Sequence, residues 1–252
     1  MICWAVLSVG GDGLLLGPLL SLALLGAVLT LDDTALAQTW LSQPLPAALL
    51  AGMVCGAPLT GLMLGIPFQL VTLGNLPVGQ SFFSDKVSAV VAGVGAAALS
   101  GQTLSFWPGA TTMTGASGML GWILLAMVLC SFAGHWSIQL ERRAFVVWMQ
   151  EGHRSLRDGK LRRFDLILLR CLATTALRGF GLSLLWLCVL VLVWIPVYQQ
   201  LPSRLQDALA IMPMLVPPLA VGILLNLYGA KRNWVWMFGG FLLAFGLIRF
   251  LV

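Results

Sequence analysis

Gly65-Ile-Pro-Phe-Gln-Leu-Val-Thr-Leu-Gly-Asn-Leu-Pro-Val-Gly79 carries three glycines and two prolines in fifteen mostly apolar residues. Breakers at that density argue against one continuous helix. Apolar segments flank the stretch on both sides. Just beyond it stand Asp85 and Lys86, the only formal charges between Thr34 and Leu140. Broken backbone and charged side chains are tolerated among membrane spans only where protein buries them or they line a wet cavity. Substrate sites of secondary transporters are commonly built this way. The stretch therefore predicts an all-α, polytopic transmembrane bundle, discontinuous over 67–85, with a translocation site between Gln69 and Asp85.

Composition supports the membrane reading. Hydrophobic residues make up 59% of the chain, charged residues 9%, and the mean hydropathy is +0.95. A soluble domain carries roughly 25% charged residues. The 252 residues have room for about seven to nine spans of about 20 residues each, in one integral membrane domain. The excess of 14 Lys and Arg over 9 Asp and Glu suits cytoplasmic loops of a membrane protein, so no nucleic acid is expected as a partner. Cys3, Cys55, Cys130, Cys171 and Cys188 lie far apart in apolar segments and read as small core residues. No basic leader precedes the first apolar stretch, so Leu14–Leu31 is expected to be a retained span and not a cleaved signal peptide.

A polar turn with Asp32, Asp33, Gln38 and Gln43 follows that span. Pro44 to about Ile66 is expected to span next, its Gly52/Gly56 and Gly61/Gly65 pairs permitting close helix packing. Further spans are expected over Val87–Phe106, with its small-residue run Ala92–Ala98, and over Ser117–His135. Residues 139–165 are strongly basic and read as a cytoplasmic loop by the positive-inside rule. They divide a site-bearing half, 1–138, from C-terminal spans, 166–252. Leu166–Leu177 is too short and Arg-flanked to span; it lies at the interface or extends the next helix. Gly181–Val197, Leu209–Tyr228 and Trp234–Leu251 complete the set. Counting outward from the basic loop puts the N-terminus inside and residues 32–43 outside.

The residues of the broken segment admit two readings each. Asp85 beside Lys86 is either a substrate ligand with its counter-ion or an N-cap for the helix starting at Val87. Gln69 and Asn75 either offer amides to a substrate or satisfy freed backbone groups. Gly74 and Gly79 permit the sharp backbone path that shapes the site. His135 and His153 read as solvated interfacial histidines, and Trp107, Trp136, Trp194, Trp234 and Trp236 as an aromatic belt. The basic loop reads either as topological charge bias or as a docking surface for an acidic cytoplasmic protein. No G-x-S-x-G, H-E-x-x-H or P-loop occurs, so no catalytic residue, metal or cofactor is expected and a membrane-embedded enzyme is disfavoured.

Three stretches carry a resemblance. Leu31-Asp-Asp-Thr-Ala-Leu-Ala-Gln-Thr-Trp-Leu-Ser-Gln-Pro-Leu45 looks like a Leu-Asp element leading to Pro-Leu at a helix start. Ala51–Gly65 looks like a Gly-rich helix with a turn before Thr-Gly. Gln69-Leu-Val-Thr-Leu-Gly74, Leu76-Pro-Val-Gly79 and Ser84-Asp85 look like a Glu-x-x-x-Leu-Gly, hydrophobic-Gly and Pro-Asp signature. The ordered set, over about residues 25–105, resembles the IIC membrane subunit of the mannose/fructose/sorbose class of the bacterial phosphoenolpyruvate-dependent sugar phosphotransferase system. The chain departs from that family at Gln69 (usually Glu), Gln43 (often Arg), Ser84 (usually Pro), Asn75 (aromatic or apolar) and Lys86. The resemblance implies a sugar-translocating subunit in the bacterial inner membrane, in a hetero-oligomer with a IID-type membrane subunit and cytoplasmic IIA and IIB proteins. It implies a sugar site at Gln69, Gly74, Asn75, Gly79 and Asp85, with the phosphoryl chemistry on IIB. The alternative is a regulatory or assembly subunit that keeps the fold with a degenerate sugar site.

Overall fold

A computed structural model describes residues 16–36, 38–73, 84–101, 104, 114–228 and 239–240. Among them there are helices and no strands: α1 (Leu16–Thr34), α2 (Pro44–Val54), α3 (Pro58–Thr72), α4 (Lys86–Leu99), α5 (Thr114–Arg157), α6 (Leu161–Val189), α7 (Ile195–Gln200) and α8 (Ser203–Tyr228). A π-helical turn, Leu190–Trp194, joins α6 to α7 without a break. Four helical stretches, Leu16–Thr34, Gly118–Arg157, Leu161–Gln200 and Ser203–Leu225, are long and apolar enough to cross a membrane, and three shorter apolar helices accompany them. The all-α membrane bundle expected from the sequence is what forms.

The centre of the bundle is α4. Every residue from Val87 to Ala97 is buried, which explains a sequence of small and β-branched residues with no polar face. Intrinsic propensity disfavours four valines in a helix; burial on all sides overrides it. The close approach is set by small residues. A Cβ on Gly95 would lie 2.6 Å from Leu22, and one on Gly93 would strike Met127. On the outside, Leu16, Leu20, Leu24 and Val28 of α1 form an exposed apolar stripe at helical spacing, as a lipid-facing surface requires.

Pro44–Ile66 is not one span. The helix stops at Val54 and restarts at Pro58. Gly56 takes φ +69°, its N–H donates to the Met53 carbonyl, and Ala57 N–H donates to the Gly52 carbonyl at 2.7 Å. That is a Schellman turn, and glycine supplies the left-handed residue it needs. The two helices fold back on each other, Gly61 lying against Ala48, and Gly65 against Ala48 and Leu45. Their 11 and 15 residues rise about 16 and 22 Å, short of the roughly 30 Å hydrocarbon core. The element is a re-entrant hairpin. The segment expected to be discontinuous over 67–85 is helical at its start, α3 running through Pro67 to Thr72; residues 74–83 of it lie outside the described residues. Val87–Phe106 likewise contracts to a 14-residue helix.

The basic stretch 139–165 is not a loop. It is the continuation of α5 and the start of α6, joined by a turn at Asp158–Lys160. Gly159 (φ +71°) makes a second Schellman turn, with Lys160 N–H donating to the Ser155 carbonyl at 2.9 Å. Of the two readings of Leu166–Leu177, the structure has the one in which it extends the next helix. Trp234–Leu251 lies outside the described residues except for 239–240.

Helix directions correct the expected sidedness. Gly26 packs on Ser183 and Thr30 on Gly179, so α1 runs antiparallel to α6. Thr34 therefore ends on the side of the basic turn, as do residues 38–43. The parity count failed because it treated the re-entrant hairpin as a crossing. Trp194 also leaves the expected belt. It stacks on Trp122 at 4.3 Å, and each indole N–H donates to the other's backbone carbonyl, at 2.9 and 3.0 Å. Trp136, by contrast, is 73% exposed.

Candidate functional site

Asp85 enters the bundle at the N-terminus of α4. Its Oδ1 accepts from Ser88 N–H at 3.1 Å, as an N-cap should. Its own N–H donates to the Ser131 carbonyl at 3.1 Å. Gly134 makes room on α5, where a Cβ would sit 2.5 Å from that of Asp85. The second carboxylate oxygen, Oδ2, accepts from Arg178 Nη1 at 3.3 Å. Arg178 lies on α6, and its Nε is 2.7 Å from Glu141 Oε2 on α5. Glu141 Oε1 in turn accepts from Thr175 Oγ1 at 2.5 Å.

The three charged side chains are 5% (Asp85), 7% (Glu141) and 9% (Arg178) exposed. Asp33, at the end of α1, interacts electrostatically with Lys86, Asp85 and Arg178. Three ionisable side chains from α4, α5 and α6 thus meet in a buried cluster at the N-terminus of α4, with exposed Asp33 and half-buried Lys86 near it. With all ionised they sum to one negative charge. Removing such groups from water is expensive unless they pair, and a guanidinium forked between two carboxylates is an arrangement Arg suits better than Lys.

Both readings of Asp85 therefore describe it: it caps α4 and it belongs to a buried charge cluster. Its oxygens accept from Ser88 N–H and Arg178 among the described residues, and a carboxylate has about four acceptor sites. Gln69 is placed differently. Its Oε1 accepts from Leu45 N–H at 3.2 Å, covering an unpaired donor at the start of α2. Gly74, Asn75 and Gly79 lie outside the described residues. Arg178 and Glu141 were not singled out from the sequence.

The mouth of the hairpin is pinned twice. Besides Gln69, the Asp32 carboxylate accepts from Thr39 N–H at 2.9 Å, Thr39 Oγ1 at 2.8 Å and Ser42 N–H at 3.2 Å. Asp32 is thus spent on holding the turn that leads into α2. Among the described residues no three His, Cys, Asp or Glu side chains converge as a metal site.

A family model described as the sorbose-specific IIC component of the phosphotransferase system matches residues 17–248. The chain belongs to this family. The match extends well past the region that carried the resemblance, through the arm of α5 and α6 and on to the C-terminal helices. No curated protein matches the sequence. Four solved chains match; one, described as a membrane protein, has a TM-score of 0.71 over 96% of the IIC chain and 94% of its own, at 16% identity. That likeness shows the fold. Family membership makes the IIC chain a sugar-transporting membrane subunit of a phosphotransferase system.

Proposed function

We propose that the IIC chain binds a hexose-like sugar beside Asp85 and passes it to a cytoplasmic phosphoryl-donor subunit. The observation that carries this reading is the buried cluster of Asp85, Arg178 and Glu141 at the N-terminal end of the central helix. Charge buried in protein at the end of the uncharged spans is expensive unless paired, and such a cluster is a candidate for contact with a substrate on its way through. Carboxylates accept strong hydrogen bonds from hydroxyls. Gln69, Gly74, Asn75 and Gly79 complete the proposed site. By the positive-inside rule the basic turn between α5 and α6 faces the cytoplasm of a bacterial inner membrane. The partners are a IID-type membrane subunit and cytoplasmic IIA and IIB proteins, and no catalytic group is needed in this chain.

A second reading, the regulatory or assembly subunit, has one observation in its favour: Gln69 Oε1 is engaged with Leu45 N–H and so serves the backbone. The two readings separate on binding of labelled hexoses to the chain co-expressed with its IID partner, with Asp85→Asn and Gln69→Ala beside wild type and thermal stability measured in parallel. Binding lost in folded Asp85→Asn supports transport. No hexose bound by the intact wild-type pair leaves the regulatory reading.

A further inference from the structure

The α5–α6 pair outruns the bilayer. On α6 and its continuation, Gly179 to Gln200 holds no charge and rises about 33 Å, which matches the hydrocarbon thickness of about 30 Å. Leu161–Leu177 on the same rod adds about 25 Å beyond that level, and α5 keeps pace to Arg157. A headgroup layer is only about 5–8 Å deep, and even a steep tilt of about 40° leaves the tip beyond it.

The arm is stiff. Gly152 packs on Phe164, Arg163 pairs with Glu151 at 2.6 Å, and the Arg170 guanidinium lies 4.3 Å from the Trp148 ring centroid. Its surface combines two features. Residues 142–177 hold eight basic side chains against three acidic ones, a net of +5. Val146, Val147, Met149, Leu156, Leu161 and Leu166 are each more than 40% exposed. Positive-inside bias accounts for the charge alone; it does not account for large apolar side chains held in water beyond the lipid. Exposed apolar groups among arginines characterise protein interfaces. Like charge disfavours a second copy of the arm, and reach disfavours lipid.

We propose that the α5–α6 arm is the docking surface for a soluble protein with an acidic, partly apolar face. Resting on the function proposed above, that protein is the phosphoryl-donating subunit, and the arm holds it over the cytoplasmic end of the bundle.

The test uses the full-length chain with its membrane partner in nanodiscs of zwitterionic lipid, and the purified phosphoryl-donor subunit as probe. Wild type is expected to bind it with an affinity that falls as salt rises. The combined variant R154E, R157E and R162E is expected to bind about 100-fold more weakly, and L156S with L161S about tenfold, with sugar binding unchanged in both. The proposal is overturned if wild type does not bind the probe, if both variants bind it as wild type does, or if binding requires anionic lipid. Sugar binding without docking sinks the arm alone; docking without sugar binding leaves the arm standing and sinks the transport reading.

Discussion

Removing the guanidinium from the centre of the charge cluster should unfold the chain more readily than removing either carboxylate. In Arg178→Met, Asp85 and Glu141, 5% and 7% exposed, lose the cation between them. Breaking a buried pair by deleting one partner costs about 3–5 kcal/mol. In a chain of this size each kcal/mol moves the thermal midpoint by roughly 2–4 °C, so a loss of about 10 °C is expected. Glu141→Gln removes the closer contact, 2.7 Å, but its amide still accepts from Thr175; about 2 kcal/mol is expected. Asp85→Asn gives up the longer contact, 3.3 Å, and Asn still caps α4, so about 1 kcal/mol is expected. The triple variant Arg178→Met, Asp85→Asn, Glu141→Gln leaves no uncompensated charge and should recover most of the loss, because replacing a whole buried ionic set is often neutral. Thermal unfolding in detergent or nanodiscs reads all four proteins. A single Arg178→Met within about 3 °C of wild type, or a triple variant no better than it, would refute the buried-cluster account.

Three further outcomes are expected. Gly61→Val should separate the re-entrant hairpin, because any Cβ there meets the Ala48 carbonyl; a loss of about 2–3 kcal/mol is expected, whereas Gly222→Ala, with open space around it, should be neutral or stabilising by up to about 1 kcal/mol. Gln69→Leu should cost about 1 kcal/mol by leaving Leu45 N–H without its acceptor, while Gln69→Glu keeps an acceptor and should hold stability; equal midpoints for the two would show that the contact is idle. Single cysteines at Gln38 and at Arg157 should react with a membrane-impermeant thiol reagent from the same side of the membrane. Labelling from opposite sides would contradict the antiparallel pairing of α1 with α6.

Much of the architecture was legible because a bilayer imposes strong constraints on sequence. Apolar length and small-residue runs located α1 to within a few residues and marked one end of α4, of α5 and of α8, while the other ends of those three differed by 6 to 22 residues. The errors have identifiable causes. Gly56 was read as half of a packing motif when it is the left-handed residue of a turn, since a glycine's type does not disclose its φ. Pro67 was read as a break, although a helix carries a proline when its neighbours satisfy the freed groups. Residues 139–165 were read as a loop because charge reports the side of the membrane and not the secondary structure.

For the candidate site, sequence singled out Asp85 by its isolation among uncharged residues, beside Gln69, Gly74, Asn75 and Gly79 of the broken segment, and did not reach its charged partners. Arg178 lies 93 residues from Asp85 and 37 from Glu141, and no local pattern links them. Its weak signal was position: it is the last charge before an uncharged stretch that runs to Ser203. Sequence by itself determined that this chain lives in a membrane, that it is built of apolar helices and that one stretch of it is strongly basic. Those properties follow from one-dimensional quantities, apolar run length and charge count, that the bilayer tests directly. Only the tertiary structure decided that the second apolar segment turns back, that Gln69 serves the backbone of α2 and that Asp85 shares Arg178 with Glu141. Each depends on which surfaces meet, and helices meet where glycines let backbones approach and buried charges find partners.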